Sequence, residues 1–65
     1  MYERFEELLK ERNETIYGVS KATGIPQTSL YEWKSGKYVP KLDKILTLAK
    51  YFGVAVEYFI EAGGN

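Results

Sequence analysis

Gln27 and Tyr31 lie one helical turn apart, and so do Thr28 and Glu32. An amide, a phenol, a hydroxyl and a carboxylate at this spacing make one helix face of hydrogen-bond donors and acceptors. Groups of these types read base edges. A glutamine amide bonds adenine N6 and N7 bidentately, a threonine meets a thymine methyl or a base edge, and a carboxylate accepts from cytosine N4. Leu30 and Trp33, at i and i+3, take the opposite face and predict burial. A helix with one face in a core and a polar face presented is how a helix-turn-helix unit fills the DNA major groove.

Punctuation on both sides supports that helix. Gly24 supplies the positive φ that a sharp helix-to-helix turn requires, and Pro26 suits a first turn, where no amide donor is needed. The third helix is therefore expected over 26–35, with Gly36 just past its end. A short second helix is expected over 16–23, with Thr15 as its N-cap. Val19 and either Ala22 or Thr23 should face inward, and small Ser20 admits a crossing helix. Gly18 inside this helix costs about 1 kcal/mol against alanine, which room for a neighbour would justify.

The outer elements follow from periodicity. Residues 2–12 read as a first helix whose stripe is Phe5, Leu8 and Leu9, with Glu6 and Lys10 as an i,i+4 pair. Asn13 and Glu14 form a turn. Lys37–Lys41 is a loop that Pro40 keeps from being helical. Residues 42–52 read as a fourth helix with Leu42, Ile45, Leu48, Ala49 and Phe52 on its core stripe and Gly53 as its stop. A fifth helix is expected over 55–61, with Val56, Tyr58, Phe59 and Ile60 as either a lid on the core or a dimer patch. The fold class is all-α, a compact bundle of five helices. Residues 1–62 are expected to form one domain, and 63–65 a flexible C-terminal tail or the start of a linker.

Composition narrows the function. The 65 residues contain no histidine and no cysteine, which removes the commonest general base, the commonest metal ligands and any disulfide. No nucleophile–base–acid set or glycine-rich phosphate loop occurs, so the chain reads as neither an enzyme nor a cofactor or metal carrier. No run approaches the roughly 20 apolar residues of a membrane span, and no leader is visible, so cytoplasmic residence is expected. The formal net charge is zero, but it is unevenly placed. Residues 1–14 carry five glutamates against Arg4, Lys10 and Arg12, while residues 15–50 carry six lysines against Glu32 and Asp43. The positive region thus surrounds the polar helix. A phosphate backbone senses that local field, within a Debye length of about 8–10 Å.

Taken together, residues 5–60 resemble the Cro/repressor-type helix-turn-helix domain, the XRE family. The resemblance rests on Val19, Ser20, Gly24, Ile25, Leu30 and Trp33 within a unit running from Ile16 to Ser35. It continues through Gly36, Lys37 and Pro40 to Leu42, Ile45, Leu46, Leu48, Ala49, Lys50, Phe52, Gly53 and Val54. The chain departs from the family at Ile16, where many members have a phosphate-anchoring glutamine, and at Pro26 and Ala55, where a capping serine is common. The resemblance implies a lambda-repressor-like DNA-binding fold with its helix-turn-helix in helices 2 and 3. It implies base contacts from Gln27, Thr28, Tyr31 and Glu32, and phosphate contacts from Thr15, Tyr17, Lys21, Ser35, Lys37, Tyr38 and Lys41.

The implied function is sequence-specific regulation on double-stranded DNA, as a repressor or Cro-like switch of a bacterial phage or mobile element. A homodimer on a two-fold operator would double the few contacts one domain makes. No small-molecule ligand is indicated. The competing expectation is an antitoxin-like or sigma-factor or anti-repressor adaptor that binds protein and has little DNA affinity, since fold alone does not fix function.

Overall fold

The computed structural model describes residues 1–60. Five helices follow in order, α1 (Tyr2–Arg12), α2 (Ile16–Thr23), α3 (Gln27–Ser35), α4 (Leu42–Phe52) and α5 (Glu57–Ile60), with no strand among the described residues. The expected tail at 63–65 and the last residue of the expected fifth helix lie outside them.

Each helix contributes its apolar stripe to one core. Phe5, Leu8 and Leu9 come from α1, Ile16 and Val19 from α2, Leu30 and Trp33 from α3, and Ile45, Leu48, Ala49 and Phe52 from α4. Ile25 from the α2–α3 turn and Phe59 from α5 complete it. Burying one such side chain contributes about 1.5–3 kcal/mol relative to leaving it in water. Phe5 sits at the centre of an aromatic group, with ring centroids 5.3 Å from Trp33, 5.6 Å from Tyr2 and 6.0 Å from Phe52. α3 is thereby seated on α1 through Trp33 as well as on its turn partner α2.

Helix ends are set by left-handed residues. Gly36 has φ 86°; its N–H donates to Trp33 O and that of Lys37 donates to Glu32 O at 2.9 Å, which closes α3 with two of its orphan carbonyls bonded. α4 closes the same way at Gly53, and α1 at Asn13, the one non-glycine in this conformation among the described residues. Two long-range contacts tie these ends together. Arg12 Nη1 donates to the last carbonyl of α4, Phe52 O, at 2.9 Å, and Tyr51 Oη donates to Glu14 Oε1 at 2.6 Å.

Several expectations need correction. α3 begins at Gln27, with Pro26 as its N-cap (ψ 141°), and α5 begins at Glu57 rather than 55. Leu42 does not join the α4 core stripe: it lies at the edge of that stripe and is 60% exposed. Ala22 is exposed, and half-buried Thr23 takes the inward place. Glu6 and Lys10 form no ion pair; the side-chain pair on α1 is Arg4 with Glu7 at 3.6 Å, nearer the N-terminus. At the C-terminal end, Phe59 is fully buried, and Val56 and Tyr58 pack half-buried against the core. These three form the lid, which leaves Ile60 as the exposed apolar residue of α5.

Candidate nucleic-acid interface

The α2–α3 unit is built by local chemistry. Thr15 adopts extended backbone (φ −122°, ψ 161°), and its Oγ1 accepts from Gly18 N–H at 3.0 Å, capping α2. A Cβ at Gly18 would meet nothing nearer than that Oγ1, at 3.4 Å. No tertiary neighbour therefore requires the glycine, contrary to the packing expectation. At the other end, Gly24 turns the chain with φ 82°. Thr23 fixes the turn: its hydroxyl donates to Val19 O at 2.7 Å and accepts from Ile25 N–H at 3.3 Å. Ile25 then inserts into the core at 4% exposure, and α3 starts two residues later, packed against α2.

Rotation of about 100° per residue along α3 places Thr28 and Ser35 directly opposite the Leu30–Trp33 side. Tyr31 and Glu32 flank that outward line, and Gln27 opens the helix beside Tyr31. All five are exposed, Tyr31 by 52%. Ser29 is half-buried toward the side of the helix. Trp33 is only 4% exposed, its ring packed edge-on against Tyr2 and tilted on Phe5. The polar face is thus held by a rigid apolar seat on the other side of the same two turns. Tyr31 also reaches the field of Tyr2, whose hydroxyl is held above its ordinary pKa by burial first and by Glu6 and Tyr31 after that.

The positions read as phosphate contacts lie on α2 and its N-cap, at the end of α3 and in the loop that follows it. Thr15, Tyr17, Lys21, Ser35, Lys37 and Lys41 are exposed. Tyr17 and Lys21 are one turn apart on α2, with Lys21 Nζ 5.7 Å from the Tyr17 ring centroid, so the cation is preorganised over the aromatic face. Ser35 donates its single hydroxyl proton to Glu32 O at 3.0 Å, so a phosphate oxygen, itself an acceptor, would have to displace that bond. Tyr38 differs from the rest: it is half-buried against the core and walls an open groove of about 390 Å³ with Met1, Tyr2, Trp33 and Val39. Ile16, at the family's glutamine position, is buried at 8% exposure and serves the core.

No lysine forms an ion pair among the described residues; the glutamates Glu3 and Glu7 pair instead with the amino terminus and Arg4. The cations of α2, α3 and the following loop are therefore free to meet an external anion. Sequence reasoning passed over exposed Lys34, which shares the Gln27–Tyr31 flank at i+7 and i+3. A lysine in the last turn of a helix also complements the helix dipole. No cluster of His, Cys, Asp or Glu able to hold a metal occurs among the described residues, and none of their helices is long and apolar enough to cross a membrane.

The sequence matches a family model described as a helix-turn-helix domain over residues 2–63. No curated protein and no solved structure gives a significant match.

Proposed function

The chain belongs to the helix-turn-helix domain family, of the Cro/XRE class, and from that membership we propose that it is a sequence-specific regulator of double-stranded DNA. The observation that carries the proposal is the two-sided α3: Leu30 and Trp33 are locked in the core while Gln27, Thr28, Tyr31 and Glu32 stand exposed among unpaired lysines. In this reading α3 enters the major groove. Gln27 reads adenine, Thr28 a thymine methyl or base edge, and Tyr31 and Glu32 the bases one turn further along, with Glu32 also repelling wrong registers.

Thr15, Tyr17, Lys21, Ser35, Lys37, Tyr38 and Lys41 position the domain on the two phosphate strands, and Lys34 joins them. The first turn of α2 adds its free amides at Ile16 and Tyr17, since Thr15 consumes only that of Gly18. The protein acts by occupancy and catalyses nothing. Bound over a promoter it excludes polymerase, as a repressor or Cro-like switch of a phage or mobile element in a bacterial cytoplasm. Overall extents of 31 × 25 × 21 Å suit two copies in contact with their recognition helices about one DNA turn, roughly 34 Å, apart.

The test is fluorescence anisotropy with a mixed-sequence duplex over a range of salt, followed by selection from a random duplex pool. Phosphate binding predicts that log K falls linearly with log salt, by about 0.9 per phosphate neutralised. A flat salt dependence, or selection that enriches no sequence, would turn the reading to a protein partner.

A further inference from the structure

We propose that the outer edge of α4 is a contact surface for a second copy of this chain, formed by antiparallel packing of the two α4 helices with Leu46 on the two-fold axis. Leu42 is 60% exposed and Leu46 44%, one turn apart on the same edge, and Val39, 64% exposed, precedes them in the loop. Val39 lines the groove beside Trp33, which leaves Leu42 and Leu46 as the large apolar side chains that stand out of the core on this edge. The residues further along that edge are Ala49 and Gly53, too short to hold two helix axes apart.

The charges on this edge select the partner. Asp43 and Lys50 lie on the same side of α4 as Leu46, three residues before it and four after it. Both are exposed, and neither has an ion-pair partner among the described residues. A two-fold axis through Leu46 exchanges positions before and after it. Asp43 of one copy is thereby brought opposite Lys50 of the other, and the pair occurs twice. The apolar centre and the flanking charges are thus complementary to themselves, which is the requirement of an isologous contact. A parallel arrangement would instead set Asp43 against Asp43 and Lys50 against Lys50.

The surface also sets the strength of the association. A stable interface buries about 800 Å² per partner, and two partly exposed leucines supply well under that. The pairing is therefore weak and reversible, a contact that assembles at high local concentration. It specifies the dimer that the two-fold operator reading calls for, yet its test contains no DNA, so the two can fail separately.

The experiment is sedimentation equilibrium of the full chain from micromolar to millimolar concentration, with amide NMR shifts followed on dilution. The expected result is a monomer–dimer equilibrium whose shifting amides cluster between Val39 and Gly53. Leu46→Glu should raise the dissociation constant at least about tenfold, which in free energy is about 1.4 kcal/mol. Asp43→Lys should weaken pairing about threefold or more, in the range of two exposed charge pairs, and the swap Asp43→Lys with Lys50→Asp should restore it. All these positions are exposed, so thermal melts should show the variants folded. A chain that stays monomeric at millimolar concentration would overturn the proposal, as would a dimer indifferent to Leu46→Glu or a charge swap that fails to rescue.

Discussion

Trp33→Ala should remove a large share of the stability of this domain. The indole is 4% exposed and forms the seat of α3, with ring centroids 5.4 Å from Tyr2 and 5.3 Å from Phe5. Replacing a buried Trp by Ala costs about 3–5 kcal/mol. The groove beside Trp33, walled by Tyr2 and Tyr38, lets water enter part of the space vacated and moves the expected loss to the lower end, about 3 kcal/mol. Domains hold about 0.05–0.15 kcal/mol per residue, so a chain of this length has only about 3–10 kcal/mol to lose. Urea unfolding followed by far-ultraviolet circular dichroism measures it without needing the tryptophan as a probe. With a slope near 1 kcal/mol per molar urea, the midpoint should fall by about 3 M or the variant should be unfolded at the outset. Trp33→Phe keeps the aromatic stack and should retain a cooperative transition. A Trp33→Ala midpoint within about 1 M of the parent would refute the seat, because the loss would then be no larger than that of a surface side chain.

Gly18→Ala should stabilise the domain by about 0.5–1 kcal/mol in the same assay, because the position is helical and a Cβ there meets only Thr15 Oγ1 at 3.4 Å. Gly24→Ala should cost about 1–2 kcal/mol through backbone strain alone, since a Cβ there touches nothing but φ is 82°. Thr23→Val, which keeps the shape and deletes both hydroxyl bonds, should cost about 1 kcal/mol or more and broaden the amide signals of the turn. Alkaline pH should destabilise the fold. The hydroxyls of Tyr2, through burial, and Tyr51, through its bond to Glu14, ionise above their ordinary 10.0 in the fold, so above about pH 10 the unfolded chain releases protons that the fold retains. Stability measured against pH should fall from that point upward, and Tyr2→Phe should flatten the decline.

The sequence discloses helix ends better than helix neighbours. Gly24 and Gly36 mark turns because their backbone angles are unfavourable for other residues, and Thr15 marks a cap because its hydroxyl replaces a missing carbonyl. The 3.6-residue period likewise locates Leu30 and Trp33 opposite Thr28 and Ser35. What periodicity does not contain is how far the neighbouring helices extend. Leu42 falls near the edge of the α4 stripe, where periodicity alone does not decide burial, and it is 60% exposed. Tyr38 shows the same limit: nothing in a lysine-bearing loop indicates that its ring packs half-buried against the core beside Trp33. Asn13 takes the left-handed conformation at the end of α1, where asparagine is the usual alternative to glycine, yet a turn of three polar residues leaves its position within the turn open. Exchange of the expected Glu6–Lys10 pair for Arg4–Glu7 reflects how little separates exposed pairs on one helix.

The most direct test of the central claim is an amide-resolved NMR titration of the labelled protein with mixed-sequence duplex DNA, at low and then high salt. The account predicts shifts confined to Thr15–Lys21 and Gln27–Lys37 that fade as salt rises. Absence of shifts at near-millimolar protein, or salt-independent shifts centred on the glutamates of α1, would contradict it.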